Sequence, residues 1–191
     1  PGVALVITGP GVTNVATAVG QAYTDSSPVF VLSSNVNRAH LDKMRGNLHD
    51  LKDQMGVMAA VTQWNARVLD PNDAFSTVSE GMGRLKSGRP LPVHVEIPID
   101  VLDEPATLVD RAGEQHAKRR PEPDAIRDAA RRLAAAGRVA IYCGGGAISS
   151  GAAASIPALA ERLKAAVVTS FMGKGSIPED HPRAAGSLWE P

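Results

Sequence analysis

Three clusters in this 191-residue chain carry groups able to do chemistry. The first is Thr8-Gly9-Pro10-Gly11-Val12-Thr13-Asn14, set between an apolar run and a helical stretch. Glycine lets a backbone come close to a ligand, and a helix start presents amide donors with no partner inside the helix. A ligand loop and a purely structural tight turn are equally consistent with these residues. The second cluster is His49 beside Asp50. An imidazole titrates near neutral pH and suits a general acid or base, and a neighbouring carboxylate could orient it. Adjacent residues need not point the same way, so an exposed loop histidine is the plainer alternative. The third is Gly144-Gly145-Gly146, which lacks the full GxGxxG spacing and its downstream acid, so a dinucleotide fingerprint is not established. His40, His94, His116 and His181 have no spacing that makes a zinc site with Cys143, and no metal ligands are expected. Ser149 and Ser150 lack the G-x-S-x-G elbow of a serine hydrolase.

These residues need a frame. Val3 to Ile7 is a continuous apolar run, Asn14 to Tyr23 a stretch of small residues, and Val29 to Leu32 a second apolar run. That order predicts strand, glycine turn, helix, strand, and strands apolar on both faces suit the interior of a parallel sheet covered by helices. The fold class expected is therefore α/β, with parallel sheets flanked by helices. Ser33 to Gln54, holding Asn35, Asn37, Arg38, His40, His49 and Asp50, is polar and long for a plain connection. A short strand is expected over Arg67–Leu69. Asp70-Pro71 marks a helix start running to about Lys86, which Gly88 ends. Val93 to Ile97 alternates with His94 and Glu96 as a strand that Pro98 stops.

From Glu104 to Pro123 periodicity is lost, and prolines bracket a charged run with Lys118, Arg119 and Arg120. A solvated linker over 106–122 is expected there, dividing a first domain at 1–105 from a second at 123–191. The second begins with an amphipathic helix, Asp124 to Ala136, with Ile126, Ala129, Ala130 and Leu133 at helical spacing. Strands are expected at Val139–Tyr142 and Ala166–Thr169, a turn at Gly144–Gly146, a helix at Ala152–Leu163, and loop from Met172 to Pro191.

Composition narrows the classes. Apolar residues make up 43% of the chain, ample for a buried core. Twenty basic residues balance twenty acidic ones, so no overall field favours nucleic acid or an anionic membrane. No run approaches the roughly 20 apolar residues of a membrane span. One cysteine excludes an internal disulfide and favours the reducing cytoplasm. The chain opens on Pro1, so the true N-terminus is expected to lie upstream.

Two stretches resemble one enzyme family. GVALVITGPGVTNVATAVGQAYTDSSPVFVLSS is similar to the segment of thiamine-diphosphate-dependent enzymes in which a GPG-x-TN loop precedes an A-x-x-D-x-x-P helix and strand. GRVAIYCGGGAISSGAAASIPALAERLKAAVVTSFMGKGSIPEDHP resembles the start of their central domain. Between them, SGRPLPVHVEIPIDV resembles the strand that closes the pyrimidine-binding domain, so the likeness covers nearly the whole chain in register. It implies the C-terminal part of a pyrimidine-binding domain followed by the start of a Rossmann-like central domain.

The resemblance further implies that Thr8, Gly9, Pro10, Gly11 and Asn14 lie beside thiamine diphosphate. His49 stands where acetolactate synthases carry the glutamine of a Phe-Gln-Glu triplet, with Leu48 and Asp50 for its neighbours. Val61, Thr62, Gln63 and Trp64 anchor that alignment. Ile99 replaces a lysine of the acetolactate synthase Leu-Pro-Lys-Asp sequence. These departures favour a decarboxylase or carboligase of a 2-oxo acid, and the Leu-His-Asp-Leu pattern resembles 5-guanidino-2-oxopentanoate decarboxylases. An acetolactate synthase large subunit is one alternative, and a non-catalytic α/β ligand-binding module is another. The activating glutamate of the family lies upstream of Pro1, and the GDG motif holding diphosphate and Mg²⁺ is absent from this chain. An inactive fragment is therefore expected, from a parent that is a homodimer or homotetramer. Gly144, Gly145 and Gly146 stand where acetolactate synthases bind FAD, whereas other members carry no flavin. The expected Gly-Met-His-Gly continuation is missing, since Gly186 precedes Ser187, Leu188, Trp189 and Glu190.

Overall fold

The computed structural model describes residues 1–107 and 120–188, which fall into two compact units, Pro1–Lys118 and Arg119–Pro191. Most of the expected linker, with His116, Lys118 and Arg119, lies outside the described residues; Arg120 and Glu122 are exposed.

In the first unit, β1 (Gly2–Val6), α1 (Pro10–Asp25), β2 (Val29–Asn35), α2 (Gln54–Ala59), β3 (Trp64–Arg67), α3 (Ala74–Lys86), β4 (Val93–Pro98) and α4 (Ile99–Asp103) follow in chain order. The strands form one wholly parallel sheet in the order β1-β2-β4-β3. Strand alternation sends neighbouring residues of β2 to opposite faces. Val31 joins Val12 and Val19 of α1 and Met58 of α2, whereas Phe30 joins Leu85 of α3 with Val93, Val95 and Ile97 of β4. Helices therefore cover both faces around β2 and β4, as a parallel sheet requires.

Three sequence expectations change here. The short strand lies at Trp64–Arg67 and not at Arg67–Leu69. Its polar Asn65 and Arg67 hide the apolar signal because they face a buried polar row rather than solvent. Val3, Leu5 and Ile7 do not sit in a sheet interior: β1 is an edge strand, and they are 62%, 73% and 57% exposed. The helix α2 was not expected at all. It has six residues, too few for a periodic signal, and its start is held by Asp53, whose carboxylate accepts from Gly56 N at 2.7 Å. Replacing Asp53 by Ala is expected to destabilise the fold by about 1 kcal/mol in urea unfolding.

The second unit contains α5 (Pro123–Ala135), β5 (Ala140–Cys143), α6 (Gly145–Ser149), α7 (Ile156–Leu163), β6 (Ala166–Thr169) and β7 (Ala184–Ser187), with a parallel sheet β5-β6-β7. Cys143, Ala160, Val167 and Ile177 form its core. The stretch read as loop after Met172 contains β7, whose Ala-Ala-Gly-Ser sequence has none of the branched or aromatic residues that mark strands. Trp189–Pro191 lie outside the described residues. The helix expected over 152–163 is a 3₁₀ turn, Ala152–Ser155, followed by α7, because Pro157 lacks a donor and fits only the first turn. Gly145 and Gly146 open α6 and do not form a turn. Among the described residues no helix is long and apolar enough to cross a membrane.

Candidate functional site

The site is built at the C-terminal ends of β1, β2 and β4, where open α/β sheets bind ligands. Thr8 follows β1 and is buried; its amide donates to Ser34 Oγ at 3.0 Å, and the two hydroxyls lie 3.0 Å apart. Gly9 caps α1 at φ 67° and ψ −105°, with no side chain capping the helix, and Pro10 supplies its first residue. Pro10 and Asn14 are exposed. Gly11 sits so close to β1 that a Cβ there would meet Ile7 Cγ2 at 2.9 Å. Thr8 and Gly11 therefore anchor the loop, while Pro10 and Asn14 form its open rim.

His49, forty residues away in sequence, reaches the same place. A Cβ on Gly9 would collide with the His49 carbonyl and stand 3.0 Å from its Cβ. The structure thus brings two separately identified clusters together by backbone packing. His49 is half-buried in the left-handed region at φ 66°, as are Asp42, Met44 and Gly46 before it. Among the described residues its imidazole has no hydrogen-bond partner, and Asp50 does not orient it. That carboxylate faces Asn47 Nδ2 at 3.5 Å, and Asn47 Oδ1 lies 2.8 Å from His40 Nδ1. Gly9→Ala would suffer both a positive φ and the collision with His49. A loss of about 2 kcal/mol is expected, together with displacement of the His49 segment, checked by urea unfolding and by proteolysis within residues 42–50.

Beneath the loop lies a polar network that the sequence reading missed. Parallel register aligns Ser33 with Glu96 and Glu96 with Arg67, all on the sheet face covered by α2. Glu96 is fully buried; its carboxylate accepts from Arg67 Nε at 2.5 Å and from Gln54 Nε2 at 2.7 Å. Gln54 Oε1 in turn accepts from Gly9 N at 2.8 Å. All six residues of β4 are buried, so the alternation of His94 and Glu96 marks no solvent face. The signal available was a histidine and a glutamate two apart in a strand of a parallel sheet, which must be partnered if both faces are covered.

The loop between β2 and α2 is fixed at its flanks. Arg67 Nη1 donates to Asp42 Oδ2 at 2.8 Å. Arg38 holds Asp100 at 2.9 Å, Glu104 and the Leu69 carbonyl. Ile99 is half-exposed on the first turn of α4.

His94 lies 2.8 Å from Ser33 Oγ through Nε2, whereas Nδ1 is buried and has no partner among the described residues. Burial lowers its pKa from 6.5 to about 4. The unfolded chain therefore binds a proton at higher pH than the folded one. The stability due to neutral His94 is complete above about pH 6.5 and is lost as pH falls through about 4, which urea unfolding across that window checks.

In the second unit, Gly144 caps α6, and a Cβ on Gly145 would stand 3.2 Å from Met172 Cβ. A Cβ on Gly173 would run into the Cys143 carbonyl. Gly145 and Gly173 thus permit the close approach of the segment after β6 to that after β5, and Gly146 faces open space.

Residues 1–57 match the model of the thiamine pyrophosphate enzyme N-terminal TPP binding domain, and residues 126–189 that of the thiamine pyrophosphate enzyme central domain. The chain is 46% identical over 98% of its length to the probable 2-ketoarginine decarboxylase AruI of Pseudomonas aeruginosa, covering 34% of that protein. It is 37% identical, again over 98%, to a probable acetolactate synthase large subunit of Methanocaldococcus jannaschii, covering 32% of it. The chain thus spans about a third of the length of these relatives. Its fold is similar to a Rhodococcus jostii thiamine diphosphate-dependent 4-hydroxybenzoylformate decarboxylase, with TM-score 0.87 at 21% identity over 97% of this chain and 36% of that one.

Proposed function

Because the chain belongs to the thiamine pyrophosphate enzyme family, matching first its N-terminal binding domain and then its central domain, we propose that it is part of an enzyme using thiamine diphosphate on a 2-oxo acid. The favoured activity is decarboxylation of 5-guanidino-2-oxopentanoate. The observation that carries it is the 46% identity to a probable 2-ketoarginine decarboxylase, against 37% to a probable acetolactate synthase large subunit. Leu48, His49 and Ile99, which depart from the acetolactate synthase pattern, support the same choice.

The rim fits the cofactor: the Gly11 amide lies in the first turn of a 16-residue helix, with Pro10 and Asn14 open beside it, while the Gly9 amide is held by Gln54. When bound, thiamine diphosphate supplies the nucleophilic carbon and accepts the electron pair released with carbon dioxide. This chain's residues hold and protonate. Thr8, Gly9, Pro10, Gly11 and Asn14 form the pyrimidine-side wall, and the His49 imidazole delivers a proton to the carbon that has lost carbon dioxide. The diphosphate and Mg²⁺ are assigned to other segments of the full-length protein. Residues 1–105 and 123–191 are read as pieces of a pyrimidine-binding and a central domain, within a cytoplasmic homodimer or homotetramer. FAD along Gly144, Gly145 and Gly146 is a second cofactor reading, which flavin absorbance of the purified full-length protein decides.

Carbon dioxide release by the full-length protein, supplied with thiamine diphosphate and Mg²⁺, tests the substrate. Turnover of 5-guanidino-2-oxopentanoate well above that of pyruvate is expected. Conversion of pyruvate to acetolactate with the guanidino acid inert would reverse the assignment.

A further inference from the structure

Gln54 opens α2 and is 2% exposed. A primary amide offers two donors and an acceptor, and burial requires that they be used. Here they are: Oε1 accepts from Gly9 N at 2.8 Å, while Nε2 donates to Glu96 Oε2 at 2.7 Å and to the Ser34 carbonyl at 2.9 Å. The alternative amide orientation would set a carbonyl oxygen against a carboxylate and another carbonyl, so the environment fixes which atom faces Gly9. Both donors are used, and burial keeps the side chain away from a ligand. What it holds is the amide of the residue whose unusual backbone starts α1.

We propose that Gln54 is a positioning residue for the Gly9-Pro10-Gly11 loop. It links the loop amide to the end of β2 and to the buried Glu96, and thereby sets where the open rim at Pro10 and Asn14 stands. The inference rests on the reading of that rim as the cofactor side. Glu96 is itself held by Arg67, so the loop is braced through β4 to β3.

The test uses the full-length protein, with thiamine diphosphate and Mg²⁺ as the probe. Hydrogen exchange on the cofactor-free wild type should show the Gly9 amide already slow; exchange at the rate of an open amide overturns the proposal without any variant. Gln54→Met, close in size but unable to accept from Gly9, should weaken thiamine diphosphate binding in calorimetry about tenfold, the equivalent of one buried hydrogen bond. Gly9 exchange should quicken in parallel, a local readout that a general loss of stability would not confine to that amide. Wild-type affinity in Gln54→Met, with Gly9 exchange unchanged, sinks the proposal. A wild type that does not bind the cofactor at all would instead refute the cofactor reading, while Gly9 exchange still reports on Gln54.

Discussion

Full-length protein carrying His49→Asn is expected to turn over its 2-oxo acid about a hundredfold more slowly than wild type, the scale of a lost general acid or base. The choice of asparagine follows from the backbone. His49 sits at φ 66°, a region that asparagine and histidine tolerate better than alanine. Ala at that position would add a backbone penalty of about 1 kcal/mol and mix a conformational effect with a chemical one. The expectation of a large chemical effect comes from what the imidazole lacks. A histidine kept for structure packs or bonds its ring, as His94 does with Ser33. The His49 ring has no such partner among the described residues, yet its main chain is lodged against Gly9 in a segment with four left-handed residues. Backbone constraint spent on a side chain left free is the arrangement expected of a group that meets substrate. Turnover at saturating substrate, with circular dichroism and cofactor affinity measured on the same preparation, checks it; undiminished turnover would remove His49 from the chemistry.

The α/β frame was legible because covered strands must be apolar. Val29 to Leu32 and Ala166 to Thr169 announce themselves, and Pro71, Gly88 and Pro98 mark element ends by removing donors or allowing positive φ. The glycine loop was legible as a loop, and His49 as a titratable residue, but their adjacency was not. It depends on a backbone packing contact across forty residues, which no local pattern encodes. Gln54 was missed for a related reason. One glutamine at the end of a polar loop is unremarked until register puts Ser33, Glu96 and Arg67 in one row beneath it. The alternation in Val93 to Ile97 held the clue, since a histidine and a glutamate on one face of a buried strand require partners. The apolar face of β1 shows the opposite case: its sequence demands cover that the described elements do not provide.

That polar row sets the second large effect. Arg67→Met is expected to destabilise the fold by about 3 kcal/mol, because it strips a fully buried carboxylate of its cationic partner. Glu96 would keep only the Gln54 amide, while the Asp42 end of the loop would lose its tether. Burial of Arg67 opposes its charge, but hydrogen bonds and attraction from Asp42 and Glu96 outweigh it and raise its pKa above the ordinary value. Arg67 therefore keeps its charge, and removing it leaves the buried Glu96 carboxyl without its cationic partner rather than leaving a neutral gap. The remedy is specific. Arg67→Met combined with Glu96→Gln removes the stranded charge, leaves Gln54 an amide oxygen to donate to, and should recover a large part of the loss. The Arg38 pair with Asp100 is a useful contrast, since both side chains are about a third exposed and solvent already screens them. Arg38→Met should accordingly cost less than Arg67→Met in the same urea unfolding series. A loss below about 1 kcal/mol for Arg67→Met, the size of a surface pair, would show that Glu96 is not held as the geometry has it. The brace proposed for Gly9 through Gln54 would then lose its fixed end.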